Sequence, residues 1–247
     1  MTSAQPTGTK YETIWFDPVY LPEVSSSTFD ASYWREKQAL IGSSVGRGTT
    51  YFFKEHQHEF VLRHYLRGGL VGKILNDQYL FTGIANTRAW QEKALLSHIR
   101  KLGLPAPTPA AARVTKHWGY YRADLITVKI PNAQDVHHHL LKHTLSNEVW
   151  TSIGKTIAQF HQHQIYHHDL NIHNIMLDKD NKVWLIDFDK CTVKPGDHWK
   201  QDNLDRLHRS LQKESAMNVK YFFEEHAWNY IIEGYKASNS KIFTSLN

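Results

Sequence analysis

Apolar and polar residues alternate in short runs through much of the first half of the chain, which is the pattern of β-strands. Residues 41–53 predict a strand, a glycine-rich turn and a second strand, and residues 59–66 predict the next strand. Residues 111–116 and 120–129 predict a hairpin with its turn at residues 117–119. We therefore expect an antiparallel sheet in this half.

Helical periodicity is concentrated in the second half, with two exceptions. One helix is predicted among the strands at residues 87–102, and a shorter helical segment at residues 31–40 has Asp30 as its N-cap. Residues 130–132 resemble a hinge. Beyond it we predict helices at 133–142, at 146–163 and within 197–247, with two short strands at 175–177 and 183–186.

This order of elements favours an α+β fold with two lobes. We expect residues 1–28 to form an amino-terminal arm, residues 29–129 an N-lobe with an antiparallel sheet and one major helix, and residues 130–247 a reduced, mostly helical C-lobe. The chain has 247 residues, of which 41% are hydrophobic, and this is enough for a sizeable core.

Composition narrows the class of protein. The single cysteine, Cys191, excludes an intramolecular disulfide and fits a reducing cytoplasm, and no apolar run approaches the roughly 20 residues that span a bilayer. The formal charge is 29 − 24 = +5, which fits a mildly basic enzyme or one attracted to an anionic surface or substrate. We expect no nucleic-acid partner, because the sequence has no dense stripe of Lys and Arg.

Three polar residues between His167 and Asp189 have the spacing of a phosphoryl-transfer site. Asp169 offers a carboxylate that can orient an acceptor hydroxyl and take its proton. Asn174, five residues later, and Asp187, thirteen residues further on, offer oxygen ligands for Mg²⁺. Each could singly be a helix cap, a turn residue or an ion-pair partner. Together, and joined by a predicted hairpin, they favour phosphoryl transfer.

Two features of the first half would complete a nucleotide site. Gly46, Arg47 and Gly48 could fold over phosphates with exposed backbone N–H groups, although a plain hairpin turn fits them as well. Arg63 lies on a predicted strand and could point at the phosphates while Glu92 of the following helix holds it. A solvent-facing arginine and a surface glutamate are the alternative.

Further sequence pieces accompany these residues. They lie at residues 46–48, 61–69, 87–92, 104–107, 168–174, 186–190 and 203–211. With these pieces the chain resembles the lipopolysaccharide kinase family of the protein-kinase-like superfamily, from about Phe29 onwards. Asp-Phe-Asp at residues 187–189 and Arg-His-Tyr-x-Arg-Gly-Gly at residues 63–69 are the most specific of them.

The resemblance implies a kinase with ATP and Mg²⁺ as cofactors. It would transfer the γ-phosphate to Kdo (3-deoxy-D-manno-octulosonic acid) on a Kdo-lipid A precursor during lipopolysaccharide core biosynthesis. The acceptor would be the hydroxyl at carbon four of Kdo. Asp169 would be the base, and Asn174 and Asp187 would hold Mg²⁺. The residues that would bind the nucleotide are Gly46, Arg47, Gly48, Arg63 and Glu92.

The implied acceptor is an acidic, lipid-linked sugar. It suggests a peripheral location on the cytoplasmic side of a bacterial inner membrane, and the sequence indicates no protein partner. Candidates to contact the acceptor are Arg67, Lys73, Arg88, Asn171 and Asp189.

Three departures from ordinary protein kinases favour a small or lipid-linked acceptor over a protein. Asn171 stands where a lysine is usual, His168 replaces an arginine, and Asp189 replaces a glycine. Two alternatives stay open: a kinase for core heptose or another small sugar, and a non-catalytic, pseudokinase-like binding module.

Three consecutive histidines, His137 to His139, would suggest a metal site if other ligands joined them. The sequence shows no cysteine or suitably spaced carboxylate that completes a ligand set. We therefore expect these histidines to form a solvated helix surface.

Overall fold

The computed structural model describes residues 2–7, 10–45, 49–67 and 77–240. The chain divides into two compact units. Unit 1 comprises Met1–His98 and Pro107–Lys129, and unit 2 comprises Ile99–Ala106 and Ile130–Asn247. Over the described ranges, antiparallel strands and six α-helices make an α+β fold, which confirms the predicted fold class.

Unit 1 is built on an eight-stranded antiparallel sheet. Its strands are β1 (Thr2–Thr7), β2 (Lys10–Phe16), β3 (Leu40–Val45), β4 (Thr49–Glu55), β5 (His58–His64), β6 (Tyr79–Leu80), β7 (Thr108–His117) and β8 (Tyr120–Val128). The order across the sheet is β1-β2-β7-β8-β5-β4-β3, and β6 also pairs with β8. The predicted hairpin is β7 and β8; β7 is longer at both ends than the pattern indicated, whereas β8 ends one residue earlier.

The amino-terminal segment belongs to this sheet. Strand β2 pairs with β7 from Lys10↔His117 to Phe16↔Ala111, and Ile14 is buried in the core. The sequence suggested an arm for residues 1–28. The structure differs because alternation around Ile14 places one apolar face of the strand on the core, which suits a paired strand.

The two faces of the sheet have different surroundings. Phe60 and Leu62 of β5 pack into an aromatic core in which Trp34 stacks on Phe53, with ring centroids 3.8 Å apart. Trp34 lies on α1 (Ala31–Glu36), which ends earlier than predicted since Leu40 already belongs to β3. The alternate residues of β5 point to the opposite face, towards α2 (Arg88–Lys101).

Unit 2 is mostly helical. Its helices are α3 (Val136–Leu140), α4 (Asn147–Gln162), α5 (Lys200–Met217) and α6 (Ala227–Ser240), and the last turn of α2 also belongs to it. The predicted helix at 133–142 is shorter because residues 134 and 135 form strand β9 (Gln134–Asp135), and the Asp135 carboxylate caps α3 by accepting a bond from the His138 backbone N–H (3.0 Å).

Helices α4 and α6 pack unusually closely. A Cβ atom on Gly154 would lie 1.9 Å from the Ile231 carbonyl oxygen, and one on Gly234 would lie 2.1 Å from the Thr151 carbonyl oxygen. Glycine is therefore required at both positions, since any side chain would separate the two backbones.

Two small sheets complete unit 2. Strand β11 (Ile175–Leu177) pairs with β12 (Val183–Leu185) and with β9, and β10 (Ile165–Tyr166) pairs with β13 (Thr192–Val193). Strands β10 and β13 flank the stretch from His167 to Asp189, and β11 and β12 lie within it. Among the residues the structure describes, no helix is both long and apolar enough to cross a membrane.

Candidate active site

The loop that carries Asp169 is anchored by buried apolar residues that follow it in the chain. It runs from the end of β10 to a single 3-10 turn, Ile172–Asn174. Leu170 and Ile172 are fully buried, whereas the Asp169 side chain is 46% exposed. The loop therefore presents the carboxylate to solvent from a rigid base.

Two asparagines fix the backbone of Asp169. The side-chain nitrogens of Asn171 and Asn174 donate to the Asp169 carbonyl oxygen at 3.0 and 2.9 Å. The Asn171 side-chain oxygen accepts from the His173 backbone N–H (2.9 Å) and so caps the turn. Both polar ends of Asn171 are thus used inside the loop, and its role in acceptor binding stays a prediction.

The hairpin of β11 and β12 brings the segment of Asp187 to that of Asn174. The Ile186 backbone N–H donates to the Asn174 carbonyl oxygen at 3.0 Å. Asp187 follows with a φ of +62°, in the left-handed region where aspartate is tolerated better than most residues. Strained backbone of this kind is common at functional sites, where the surrounding structure maintains it.

A buried histidine joins these segments, and the sequence analysis did not assign it a role. His167 donates from Nε2 to the Ile186 carbonyl oxygen (2.9 Å), and its backbone N–H donates to the buried Asn203 side chain (3.3 Å). Burial lowers the pKa of His167, so the ring is held neutral. His167 therefore acts as a strut between the Asp169 loop and the residue before Asp187.

The lone cysteine has a structural position. Cys191 is buried, and its Sγ accepts a bond from the His168 backbone N–H at 3.2 Å. Its own backbone N–H donates to the carbonyl oxygen of Phe188 (3.1 Å). Asp189, the predicted acceptor contact, lies in this turn and is partly exposed.

One face of α5 supports the Asp169 loop. Four side chains of this face contact the loop: Asn203, Arg206, Ser210 and Glu214. Arg206 Nη1 lies 3.4 Å from Asp169 Oδ1. Ser210 Oγ accepts a hydrogen bond from the Ile172 backbone N–H at 3.2 Å. Spacings of three, four and four residues place these side chains on one helix face. That periodicity is visible in the sequence, but it does not show that this face meets the Asp169 loop.

In unit 1 the predicted pair of Arg63 and Glu92 forms. Arg63 Nη2 lies 2.5 Å from both carboxylate oxygens of Glu92, which is buried. The Tyr65 hydroxyl also donates to Glu92 (2.5 Å), and burial beside this carboxylate raises the pKa of Tyr65 well above its usual value. Glu92 is thus a buried anchor, and the alternative of a surface glutamate is wrong.

Arg67 and Arg88 lie beside this pair on a layer of tyrosines. The guanidinium of Arg88 is 5.3 Å from the ring of Tyr65 and 5.1 Å from that of Tyr79, and Arg67 is 4.9 Å from Tyr79. Cation–π contacts of this kind hold guanidinium groups in place. Three of the arginines singled out from the sequence, Arg63 included, are therefore brought together in one cluster.

Four predicted residues cannot be placed. Gly46, Arg47, Gly48 and Lys73 lie outside the described residues. Their proposed contacts with the nucleotide and the acceptor stay predictions.

Comparison with known proteins identifies a family and several relatives. Residues 31–235 match the model of the lipopolysaccharide kinase (Kdo/WaaP) family. A protein of Vibrio cholerae serotype O1 named 3-deoxy-D-manno-octulosonic acid kinase is 46% identical over 224 residues, which cover 90% of this chain and 94% of the relative. Relatives with the same name from Photobacterium profundum (46% identity, 90% and 94% coverage) and Mannheimia succiniciproducens (45%, 84% and 89%) also match. The chain therefore belongs to the lipopolysaccharide kinase (Kdo/WaaP) family, and its α+β fold is consistent with that membership.

Proposed function

We propose that this protein transfers the γ-phosphate of ATP to a hydroxyl of Kdo, the one at carbon four, on a Kdo-lipid A precursor in lipopolysaccharide core biosynthesis. The name shared by relatives at 46% identity supports the acceptor. The observation that carries the chemistry is the half-exposed Asp169 carboxylate, whose backbone is fixed by Asn171 and Asn174 and beside which Arg206 lies.

Asp169 is the proposed base. Its carboxylate would accept the proton of the acceptor hydroxyl as the new bond to phosphorus forms. Arg206 would offer a positive charge to the carboxylate of an acidic sugar. Arg67 and Arg88, with Lys73, Asn171 and Asp189, are the further proposed acceptor contacts.

Asn174 and Asp187 fit a Mg²⁺ ion by the chemistry of their donors. The Asn174 amide nitrogen donates to the Asp169 carbonyl, which turns the amide oxygen, a hard ligand, in another direction. Mg²⁺ bound there would neutralise charge on the phosphates. The proposed contacts of the ATP phosphates in unit 1 are Arg63, held by Glu92, and the backbone of residues 46–48.

The acceptor implies a place of action. Because a Kdo-lipid A precursor is a membrane lipid, the proposed enzyme works at the cytoplasmic side of the inner membrane through peripheral contact. Sedimentation with vesicles that contain the precursor tests this part separately. Protein that stays in the supernatant would count against membrane contact while leaving the catalytic proposal to its own assay.

The catalytic test is a panel of acceptors incubated with ATP, Mg²⁺ and the purified protein. We expect phosphate transfer to the Kdo-lipid A precursor, with phosphorus–proton correlation placing the phosphate at carbon four of Kdo. Asp169→Asn should reduce turnover by about a thousandfold. Asp180→Asn is the matched control, since Asp180 lies in an exposed turn, and should leave turnover unchanged.

Other outcomes would replace the proposal. Transfer to heptose but not to Kdo would identify a different sugar kinase. Absence of ATP turnover with every acceptor would favour a non-catalytic binding module, and full activity of Asp169→Asn would remove Asp169 as the base.

A further inference from the structure

Three side chains that are distant in the sequence meet beside the Asp169 loop. His137 comes from α3, His173 from the 3-10 turn and Glu214 from α5. One nitrogen of each histidine and one carboxylate oxygen all lie within 4.8 Å of one another. This combination of groups is a common ligand set for divalent transition metals.

His137 lacks a hydrogen bond where the cluster needs one. Its Nδ1 is buried and has no hydrogen-bond partner among the described residues, and the side chain is 12% exposed. The nearest carboxylate oxygen, Glu214 Oε2, is 3.6 Å away, which is too far for a hydrogen bond. Buried polar atoms are almost always paired. An unpaired imidazole nitrogen that is turned towards a carboxylate therefore suggests a cation that both groups can bind.

The neighbouring histidine, His173, is directed at the same carboxylate as His137. The rings of His137 and His173 are only 4.2 Å apart, and both face the same carboxylate. Burial, together with nearby His173, lowers the pKa of His137, which keeps that ring in the neutral form that can donate a lone pair. The sequence predicted a solvated surface for His137 to His139; His138 is exposed as expected, whereas the His137 side chain is only 12% exposed.

The distances between the groups are near those of a coordination shell but wider overall, since one atom from each of the three side chains lies within 4.8 Å of the others. Bonds of about 2.0–2.1 Å to a tetrahedral ion separate neighbouring ligand atoms by about 3.3 Å. His173 Nε2 lies 3.1 Å from Glu214 Oε1, and His137 Nδ1 lies 3.6 Å from Glu214 Oε2. Asn218 donates from Nδ2 to Glu214 Oε2 at 3.3 Å and so helps to orient the carboxylate, as groups around metal ligands commonly do.

We propose that His137 Nδ1, His173 Nε2 and the Glu214 carboxylate bind a Zn²⁺ ion, with water as the fourth ligand. Two imidazole ligands favour Zn²⁺ over Mg²⁺, which prefers oxygen. This ion is separate from the Mg²⁺ of the proposed reaction. It would fasten the turn that ends at Asn174 to α3 and α5, so its role is to stiffen the Asp169 loop.

The test measures metal binding and does not depend on kinase activity. Chelator-treated full-length protein is titrated with ZnCl₂ by calorimetry, and with Co²⁺ to record the visible absorption bands of a tetrahedral site. We expect one tight Zn²⁺ site per chain and a higher melting temperature with Zn²⁺. His137→Gln and Glu214→Gln should each weaken that site by about a hundredfold or more.

The chain has 17 histidines, so a control for adventitious binding is needed. His143→Gln changes an exposed histidine just beyond α3 and should leave the tight site intact. Circular dichroism shows whether each variant is folded, and His173→Gln serves if one is not. An anomalous difference peak at the zinc edge in crystals would locate the ion. Equal affinity in wild type and both ligand variants, or only weak binding at several sites, would overturn the proposal and leave a plain hydrogen-bonded His–Glu cluster.

Discussion

Buried ion pairs hold the candidate residues of unit 1, whereas neutral hydrogen bonds hold most of the backbone of the Asp169 loop in unit 2. Arg63 is clamped on both oxygens of the buried Glu92, and a second buried carboxylate, Asp124, lies between His64 (2.7 Å) and Arg113 (2.8 Å). The bond to Asp124 raises the pKa of His64, which favours its charged form. The arginine side chains of this cluster are thus kept in place by electrostatic partners and aromatic rings.

In unit 2 the Asp169 loop is fixed by amides, a neutral histidine and a thiol. Asn174 and Asn171 donate to a backbone carbonyl, His167 donates to another, and Cys191 accepts from the backbone. Neutral bonds place the loop without competing for a metal ion or a phosphate. The difference teaches that a charged clamp would suit the proposed phosphate-binding role of Arg63, and that a neutral frame would suit the proposed roles of Asp169 and Asp187, whose own charge would act in the reaction.

In unit 2, the close packing of α4 against α6 should be the feature whose disruption lowers the free energy of unfolding most. Gly154→Ala would force a methyl group into the backbone of α6 and should lower the free energy of unfolding by about 4 kcal/mol, measured by urea denaturation. Gly119→Ala, at a position with nothing within 4 Å of the added atom, should change it by less than about 0.5 kcal/mol. Equal effects would mean that α4 and α6 do not rest on this close approach.

The charged clamp is tested by Glu92→Gln. Loss of the buried carboxylate removes the ionic partner that holds Arg63, so we expect a loss of about 3 kcal/mol in unfolding free energy. The control is Glu59→Gln, which breaks an exposed pair with Lys129 and should cost no more than about 0.5 kcal/mol. If both substitutions cost the same, burial of the carboxylate does not distinguish the clamp, and the contrast between the units fails.

Neutrality in unit 2 predicts a dependence on pH. Burial lowers the pKa of His161, whose ring bonds to the Tyr235 hydroxyl (2.9 Å), to about 3. The unfolded chain takes up this proton below about pH 6.5 whereas the folded chain does not until about pH 3. The contribution of the neutral His161 ring to the free energy of unfolding is therefore complete above pH 6.5, and it falls as the pH falls towards 3.

His161→Gln keeps a hydrogen-bonding side chain that does not titrate in this range. The loss of unfolding free energy between pH 7 and pH 5 should be about 2 kcal/mol smaller in this variant than in wild type. Urea denaturation at the two pH values measures this difference. His163→Gln is the control, because His163 is an exposed residue at the end of the same helix. Identical pH dependence in wild type and His161→Gln would show that this buried ring is not kept neutral.

The smallest expected effect concerns the backbone of Asp187. Because its φ is +62°, Asp187→Ala should be about 1 kcal/mol less stable than Asp187→Gly, although both lose the carboxylate. The same pair of substitutions at Asp180, which does not have a positive φ, should not favour glycine. Thermal unfolding of the four variants measures these differences in stability. A preference for glycine at both positions would show that the backbone of Asp187 is not specifically strained.

Much of the fold was predictable because its elements have local signatures. Helix α4 was expected at residues 146–163 and is found at Asn147–Gln162, and the β11–β12 hairpin was expected between Asn174 and Asp187. The amino-terminal segment was harder, because β2 pairs with β7 about a hundred residues away in the sequence, and pairing partners over that distance leave no local pattern. The shortened α1 and α3 reflect the same limit, since neighbouring strands take over their ends.

By itself the sequence determined the spacing of Asp169, Asn174 and Asp187, because these residues share one continuous loop and hairpin whose bonds are local. Only the tertiary structure decided which residues support them. Arg206 reaches Asp169 from α5, and His137 meets Glu214 across most of unit 2. Such contacts depend on helix packing, which places distant residues side by side through the burial of apolar faces, and a linear pattern of residues does not specify where those faces meet.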